Sequence, residues 1–328
     1  MKRKGHGVKE IFVLSGLVLF LIPGLLFAQE FPTKPINMMV TFAAGGVTDV
    51  PTRVLVMKAE KFLGQPILVS NNGAGGGSVA MTILAKEKPD GYRLASLTST
   101  VLIRVPQFRT VPYKLDDFVP IMHFGSTQTG LVVKANSPWK TLKEFADYAK
   151  KNPDKITCSI AGIGLPQHLA MLYLAKQEGI KWTYVPYPGG APAFTAFLGG
   201  HVDVFSGGTV WMPHVKEGSL RLLATHGETR MKAFPNVPTF RELGYDVVNE
   251  TVLMIAAPKG TPPAIVKKLD EAFRKSMDDP DFVRAMENME SEVYYRNSED
   301  TKKYLEEAYV RIGKMIKEFN IPKESEKK

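Results

Sequence analysis

The feature that most constrains the fold is a repeated alternation of short apolar runs with amphipathic segments, joined by turns that contain glycine or proline. The first unit begins with the apolar run 36–42, passes through Ala43-Ala44-Gly45-Gly46 and continues as an amphipathic segment over 50–62. A continuous apolar run is typical of a strand buried on both faces, and apolar residues three to four positions apart predict a helix. Strands and helices that alternate with short connections predict parallel α/β sheets.

The same alternation continues along the chain. It predicts further strands at 66–70, 93–97, 130–134, 156–160, 183–186, 202–205, 220–225 and 251–257. It predicts further helices at 78–86, 142–151, 166–177, 191–198 and 263–277, and a terminal helix with apolar side chains from Tyr304 to Phe319 on one face. Thr48 or Asp49 is expected to cap the first helix. These elements give the order of a two-part α/β protein.

The length of the chain predicts more than one domain. With 328 residues and no low-complexity linker, we expect two α/β lobes connected by strands that cross between them. Lobe 1 is predicted to contain residues 29–129 plus 250–328, and lobe 2 residues 130–249. Each lobe is expected to hold a mostly parallel sheet flanked by helices.

The N-terminus has the layout of a secretory signal. Basic residues precede the apolar run 11–27, and Ala28 supplies a small residue at the expected cleavage point. We therefore predict a signal peptide at residues 1–28. The alternative is an uncleaved membrane anchor, but the run is interrupted by Pro23 and is short for a hydrocarbon layer of ~30 Å.

Composition excludes several classes of function. Hydrophobic residues make up 44% and charged residues 23% of the chain, as in ordinary globular proteins. Cys158 is the single cysteine, so an intrachain disulfide is impossible. The basic residues behind the net charge of +9 are scattered and form no stripe for nucleic acid. The sequence contains no hydrolase motif and no metal-ligand spacing, so we expect no cofactor, no metal and no catalysis.

Two glycine loops are the most informative local features. Ala43-Ala44-Gly45-Gly46 and the loop from Ser159 to Gly164 each follow a predicted strand and precede a predicted helix. Free backbone amides and the positive end of a helix dipole bind anions at such positions. Either loop alone is equally typical of an ordinary tight turn. The pair, with one loop in each lobe, favours anion capture across a cleft.

A series of short motifs then follows the order of a known family. They are Phe31-Pro32-Thr33-Lys34-Pro35-Ile36, Phe42-Ala43-Ala44-Gly45-Gly46-Val47-Thr48-Asp49 with Arg53, Leu63-Gly64-Gln65-Pro66, Asn72-Gly73-Ala74-Gly75-Gly76, Lys88-Pro89-Asp90-Gly91-Tyr92, Val185-Pro186-Tyr187-Pro188-Gly189-Gly190, Gly200-His201-Val202-Asp203, Val237-Pro238-Thr239 and Ala257-Pro258-Lys259-Gly260-Thr261-Pro262. On these motifs, over almost the whole mature chain, the sequence resembles the substrate-binding proteins of tripartite tricarboxylate transporters, the Bug family.

The resemblance implies a periplasmic, two-lobed binding protein of the type II, Venus-flytrap fold. Such a protein closes on a small carboxylate and delivers it to a membrane permease, and we expect it to be a monomer. The ligand carboxylate is then held largely by backbone amides and ordered waters. The ligand-binding residues implied are Phe42, Ala43, Ala44, Gly45, Thr48, Asp49, Ser159, Ala161, Gly162, Gly164, His168, Tyr187 and Gly189.

Two positions depart from the family's pattern. Thr41 stands where the family usually has proline, and Leu165 stands where a small hydroxyl residue usually follows the second loop. Without that hydroxyl, we expect a ligand whose distal group is less polar than that of citrate, such as an aliphatic or aromatic carboxylate. Trp211 and Met212 either line the same side of the cleft or pack in the core.

Two alternative functions remain open from the residues. A secreted α/β hydrolase or isomerase would use Asp49 and His168 as its reactive pair, although a role for Asp49 in ordering the first loop explains that residue more simply. His168 is also compatible with a plain surface or capping role. The second alternative is a receptor that reports its ligand to a sensor kinase rather than to a permease.

Overall fold

The computed structural model describes Met1 and residues 31–161, 165–187 and 189–321. Apart from Met1, the predicted signal peptide lies outside these residues. No helix within the described ranges is long and apolar enough to cross a membrane. From Pro32 onward the chain belongs to one compact unit, and this unit contains two β-sheets.

Eleven strands and eleven α-helices are found in the described residues. The strands are β1 Ile36–Val40, β2 Ile67–Asn71, β3 Arg93–Thr98, β4 Phe118–Thr127, β5 Gly130–Lys134, β6 Thr157–Ile160, β7 Thr183–Pro186, β8 Val204–Gly207, β9 Leu220–Thr225, β10 Thr251–Pro258 and β11 Glu292–Arg296. The helices are α1 Asp49–Leu63, α2 Ser78–Leu84, α3 Ser99–Ile103, α4 Val105–Phe108, α5 Leu142–Lys151, α6 Pro166–Glu178, α7 Gly190–Leu198, α8 Met212–Lys216, α9 Pro263–Ser276, α10 Pro280–Asn288 and α11 Ser298–Glu318.

The two sheets confirm the predicted α/β fold class. The first has the strand order β11-β4-β10-β3-β1-β2 and the second β7-β6-β8-β5-β9. We refer to the first sheet with its helices as lobe 1 and to the second as lobe 2; the residue boundaries of the lobes stay a prediction.

The sheets are mixed rather than mostly parallel, which corrects the expected strand arrangement. Parallel pairing joins β1 to β2 and β3, and β6 to β7 and β8, whereas the other neighbours pair antiparallel. The reason lies in the two crossings between the sheets. Strands β5 and β10 begin at the edge where the chain enters a sheet from the other lobe. Their neighbours β3, β4, β8 and β9 end at that edge, so β5 and β10 run antiparallel to them.

The crossing segments, residues 128–129 and 226–250, lie at the same edge of both sheets. Thr127 pairs with Thr251 in lobe 1, and Gly130 pairs with Gly207, the last residue of β8. Thr98, the last residue of β3, lies beside the start of β10. The carboxyl ends of the parallel strands in both lobes are therefore directed at the crossing, and ligands of open α/β sheets bind outside these ends.

Helix α6, which follows the second glycine loop, is shared by two hydrophobic cores. Leu169 is 0% exposed and belongs to the core of lobe 1, together with side chains of β3, β10 and α11. Met171 and Leu174 belong to the core of lobe 2. A helix that is apolar on both faces is typical of complete burial. The helix that follows the second glycine loop is thus held by both lobes.

We expect Leu169→Ala and Met171→Ala to loosen different lobes. Truncating a buried leucine or methionine costs about 2–5 kcal/mol because a cavity remains. Hydrogen exchange measured by mass spectrometry should then show faster exchange in α11 for Leu169→Ala and in β6 for Met171→Ala. If both variants accelerated exchange in lobe 2 alone, the shared role of α6 would be wrong.

Candidate functional site

The first glycine loop, residues 41–48, is held by the carboxylate of Asp49. Oδ2 of Asp49 accepts a hydrogen bond from the Gly45 amide at 2.8 Å, and Oδ1 accepts from Arg53 Nε at 2.9 Å and Asn71 Nδ2 at 2.8 Å. Thr48 occupies the cap position, but its side chain makes no capping hydrogen bond. The N-cap position is thus confirmed at Thr48, but the hydrogen bonds that tie the loop to α1 and to strand β2 are made by Asp49.

The environment of Asp49 keeps its carboxyl group ionised. The side chain is only 3% exposed, and this burial by itself raises the pKa of Asp49. Hydrogen bonds from Arg53, Gly45 and Asn71, together with the Arg53 charge, outweigh burial and lower the pKa below its ordinary value. A charged acceptor strengthens each of the three hydrogen bonds.

The amides of Ala43 and Ala44 differ from that of Gly45. Both alanines are exposed, and neither amide has a hydrogen-bond acceptor within the part of the chain that the structure describes. Phe42 is half-buried, packs against the core of lobe 1, and accepts a hydrogen bond from Asn71 Nδ2 on its carbonyl oxygen at 3.0 Å. The loop thus presents two unused donors at the positive end of α1.

A second glycine-rich segment, residues 73–77, packs directly on the first loop. A Cβ atom built at Gly73 would lie 3.3 Å from the Ala43 amide nitrogen, and one at Gly77 would lie 3.0 Å from the Thr41 carbonyl oxygen. Gly77 also has a φ of +89°, which favours glycine. The segment is therefore a tightly fitted support for the loop.

Buried hydroxyl groups lie beneath the first loop. Thr52 Oγ1 donates to the Thr48 carbonyl at 2.6 Å and therefore accepts from Ser96 Oγ, also at 2.6 Å. The Thr41 and Thr48 hydroxyls are buried and have no hydrogen-bond partner among the described residues. Buried hydroxyls are normally satisfied, so both suit contact with bound water or ligand oxygen.

Thr41 also explains a local difference from the family's pattern. Its backbone amide donates to the Ser96 carbonyl at 3.0 Å, which extends the pairing of β1 with β3 by one residue. A proline at position 41 would have no such donor. The substitution therefore adds a hydrogen bond at the base of the first loop.

The second loop is described only at its ends, since Gly162, Ile163 and Gly164 lie outside the described residues. Ser159 is buried and its hydroxyl donates to the Val204 carbonyl of β8 at 3.3 Å. Ala161 is half-buried. The structure therefore places the Ser159 side chain within the sheet, bonded to β8.

His168 is packed inside lobe 2 rather than presented at its surface. The residue is 5% exposed, and its ring lies edge-on to Tyr184 with the centroids 4.7 Å apart. Burial lowers the pKa of His168 to about 4, so the imidazole is neutral at pH 7. The oxygens of Asp49 already accept from Gly45, Arg53 and Asn71. The two residues of the alternative catalytic pair are thus both engaged elsewhere.

The third loop follows β7 and begins beside the end of β6. The Tyr187 amide donates to the Ile160 carbonyl at 2.9 Å, and the Gly189 amide donates to the Tyr187 carbonyl at 2.8 Å. Gly189 has a φ of +123°, a conformation that favours glycine. The structure therefore brings Tyr187 next to the end of β6, where the second loop begins.

Trp211 and Met212 pack in the core of lobe 2. Trp211 is fully buried, and its Nε1 donates to the Gly207 carbonyl at 3.3 Å. Met212 belongs to the same buried cluster. Core packing is therefore the correct alternative for both residues.

A narrow crevice between the lobes contains residues that the sequence analysis did not single out. Ser99 and Arg104 line it from lobe 1, Pro166 from the start of α6, and Asn249 from the crossing segment. Asn249 Nδ2 donates to the Pro166 carbonyl at 2.7 Å. The sequence feature that could have indicated these residues is their position, because Ser99 and Arg104 follow the end of a buried strand. Within the described residues, no group of acidic, histidine or cysteine side chains could hold a metal ion.

Comparison with known proteins identifies the family. Residues 52–321 match the sequence model of the tripartite tricarboxylate transporter family receptor. The chain belongs to this family. Its members are periplasmic solute-binding receptors, so this receptor is not an enzyme, as expected.

Two relatives align with this receptor over most of their length. The UPF0065 protein of the gbd 5′ region of Cupriavidus necator is 37% identical over 310 residues, which cover 94% of each chain. BugT of Bordetella pertussis is 30% identical over 297 residues, which cover 89% of this chain and 91% of BugT.

Solved structures agree with the fold. A ligand-free TctC solute-binding protein from Polaromonas is 29% identical with a TM-score of 0.83, over 88% of this chain and 99% of its own. The periplasmic binding protein BugD is 30% identical with a TM-score of 0.65, over 89% and 99%. MatC from Rhodopseudomonas palustris, with bound malate, is 29% identical with a TM-score of 0.65, over 87% and 100%. The two-lobed binding-protein fold is thereby confirmed.

Asp49→Asn should destabilise the receptor in a pH-dependent way. Because the folded state lowers the pKa of Asp49, its stabilisation is fully present above the ordinary aspartate pKa of about 3.9 and is lost as pH falls through the folded-state value. We expect a loss of about 1.5–3 kcal/mol in the free energy of unfolding near pH 7, from weakened hydrogen bonds to a charged group. Urea titrations should show this loss shrinking below pH 4.

The control for this experiment is Asp147→Asn, because Asp147 is an exposed carboxylate on α5. Its substitution should change stability little at any pH. A difference between wild type and Asp49→Asn that stayed constant from pH 7 to pH 3 would contradict the assigned role of the Asp49 charge.

Proposed function

We propose that this receptor captures a small organic carboxylate between its lobes and delivers it to a membrane permease of a tripartite tricarboxylate-type transporter. The observation that carries the proposal is the pair of unbonded amides of the exposed residues Ala43 and Ala44. They have no acceptor among the described residues and lie at the carboxyl edge that is directed at the other lobe. A carboxylate is the small anion that such paired donors suit.

The strength of these bonds indicates that both lobes are needed. A hydrogen bond to a charged group is worth about 1.5–3 kcal/mol, so two amides supply about 3–6 kcal/mol. A micromolar site requires about 8 kcal/mol, in addition to the cost of association. Contacts from the second and third loops must therefore add to those of the first, and they become available when the lobes close.

The proposed site residues fall into two groups. We assign direct ligand contacts to Phe42, Ala43, Ala44, Thr48, Ala161, Gly162, Gly164 and Tyr187. We assign support of the three loops to Gly45, Asp49, Ser159, His168 and Gly189, whose amides or side chains bond within the protein or are buried.

The comparison with solved relatives supports closure around a ligand. The ligand-free Polaromonas protein and malate-bound MatC are both 29% identical to this chain and cover nearly the same share of it, yet their TM-scores are 0.83 and 0.65. Because the two proteins are equally identical to this chain, we infer that their lobes are arranged differently. The described structure thus fits an open receptor that a ligand shifts toward a closed state.

The chemistry of the cleft favours a less polar ligand than malate or citrate. Leu165 is half-buried at the start of α6, where a hydroxyl residue would offer a donor. Phe42 contributes a second half-buried apolar side chain at the first loop. A carboxylate with an aliphatic or aromatic distal group would bury these surfaces without leaving a polar group unpaired.

We also propose that the receptor reaches the periplasm by cleavage after Ala28, that it acts as a monomer, and that its lobes divide near residues 129 and 249. The mass of the secreted protein would identify the cleavage site.

Co-purification of the receptor with a permease, rather than with a sensor kinase, would separate the proposed partner from its alternative.

Leu165→Ser should reverse the ligand preference of the receptor. We expect calorimetric titration of the wild type to give tighter binding of benzoate and hexanoate than of malate. Leu165→Ser should shift this ratio by about 10–200-fold toward malate, the range for one altered pocket contact. Leu198→Ser, at an exposed position of α7, is the control. Micromolar citrate binding without affinity for benzoate-like acids would contradict the proposed ligand class.

A further inference from the structure

Asn71, the last residue of β2, contacts both ends of the turn that holds the Ala43 and Ala44 amides. Its Nδ2 donates to the Phe42 carbonyl at 3.0 Å and to Asp49 Oδ1 at 2.8 Å. Its Oδ1 accepts from Arg53 Nη2 at 2.7 Å. Both amide hydrogens and the carbonyl oxygen are therefore engaged, and this set of partners fixes the orientation of the side-chain amide.

The bond to Phe42 determines the direction of the Ala43 amide. The Phe42 carbonyl and the Ala43 N–H belong to one planar trans peptide group, so they point in opposite directions. With the oxygen held toward Asn71, the N–H must point away from β2. Gly73 packs on the same peptide group, since a Cβ there would lie 3.3 Å from both the Ala43 nitrogen and the Phe42 carbonyl carbon.

The other end of the turn is fixed through Asp49. Its Oδ2 accepts from the Gly45 amide, which belongs to the peptide group after Ala44. Its Oδ1 is shared between Asn71 and Arg53. One side chain on β2 is thus bonded directly to the first peptide group of the turn and, through one carboxylate, to the last.

We propose that Asn71 is a positioning residue for the ligand: by fixing the Phe42–Ala43 peptide plane and the Asp49 carboxylate, it holds the Ala43 and Ala44 amides toward the cleft. The role rests on the proposed function, because it concerns the amides that would receive the carboxylate. Asn71 itself touches the loop and not the ligand. Its loss therefore weakens binding of every carboxylate alike and leaves the preference among them unchanged.

The test compares Asn71→Asp and Asn71→Ser with the control Asn72→Ser. Asn71→Asp keeps the size of the side chain but places an oxygen against the Phe42 carbonyl and Asp49. Asn71→Ser removes the contacts without adding charge, and it serves if the aspartate variant does not fold. Within the described ranges, the Asn72 side chain bonds only to the Ala74 amide, at 3.3 Å, so its substitution leaves the Asn71 contacts intact.

Two measurements are made on folded protein, well below the melting temperature. Calorimetric titration with benzoate, hexanoate and malate should show every measurable Kd raised about ten- to a hundredfold in the Asn71 variants, with the ratios between ligands unchanged. Residual dipolar couplings of the ligand-free protein should show a changed orientation of the Ala43 N–H in the Asn71 variants but not in Asn72→Ser.

The outcomes separate this inference from the proposed function. If wild type binds none of the three acids, the proposed ligand class fails, and the Ala43 coupling still tests Asn71. Unchanged couplings and unchanged Kd values in a folded Asn71 variant would overturn the positioning role. A weakening confined to one ligand would also overturn it, since that result assigns Asn71 to specificity. A lower melting temperature alone would assign it to stability.

Discussion

The conformation of the first glycine loop depends on one buried carboxylate. Asp49 accepts hydrogen bonds from the loop, from its own helix and from the neighbouring strand. Its negative charge lies at the positive end of α1, where it is stabilised. As a consequence, the backbone amides of the first loop differ in their hydrogen bonding. The Gly45 amide is bonded to Asp49, whereas the Ala43 and Ala44 amides have no acceptor among the described residues and are the donors that we propose for the ligand. Arg53 donates to the Asp49 carboxylate and to Asn71, so its side chain is engaged within the protein.

The two lobes are coupled at more than one place. Helix α6 contributes to both cores, so this helix cannot move with lobe 2 without shifting against lobe 1. The crossing segments are also closely fitted, since a Cβ at Gly227 would lie 2.1 Å from Gln128 Oε1. Near them, Arg296 donates to Glu228 at 2.6 Å and to His123 at 2.7 Å. The proposed closure would therefore be a limited rearrangement of packed elements.

Local sequence patterns predicted the loops and helices whose boundaries are determined by neighbouring residues. The first loop, the start of α6 at Pro166 and the terminal helix all follow from apolar spacing and from residues that begin or end helices. Strand β4 was missed, because Pro120, His123 and Gly125 interrupt its apolar pattern, and its place depends on pairing with β10 and β11. Asn71 was missed for a related reason: its partners lie 18 to 29 residues away. No local pattern reveals contacts of that kind.

The most direct measurement is a crystal structure of the mature receptor with the acid that raises its melting temperature most. We predict carboxylate oxygens about 2.7–3.2 Å from the amide nitrogens of Ala43 and Ala44, the Gly45 amide still bonded to Asp49, and the second loop closed over the ligand. A carboxylate bound instead by lysine or arginine side chains, with the Ala43 and Ala44 amides facing away from it, would contradict this account.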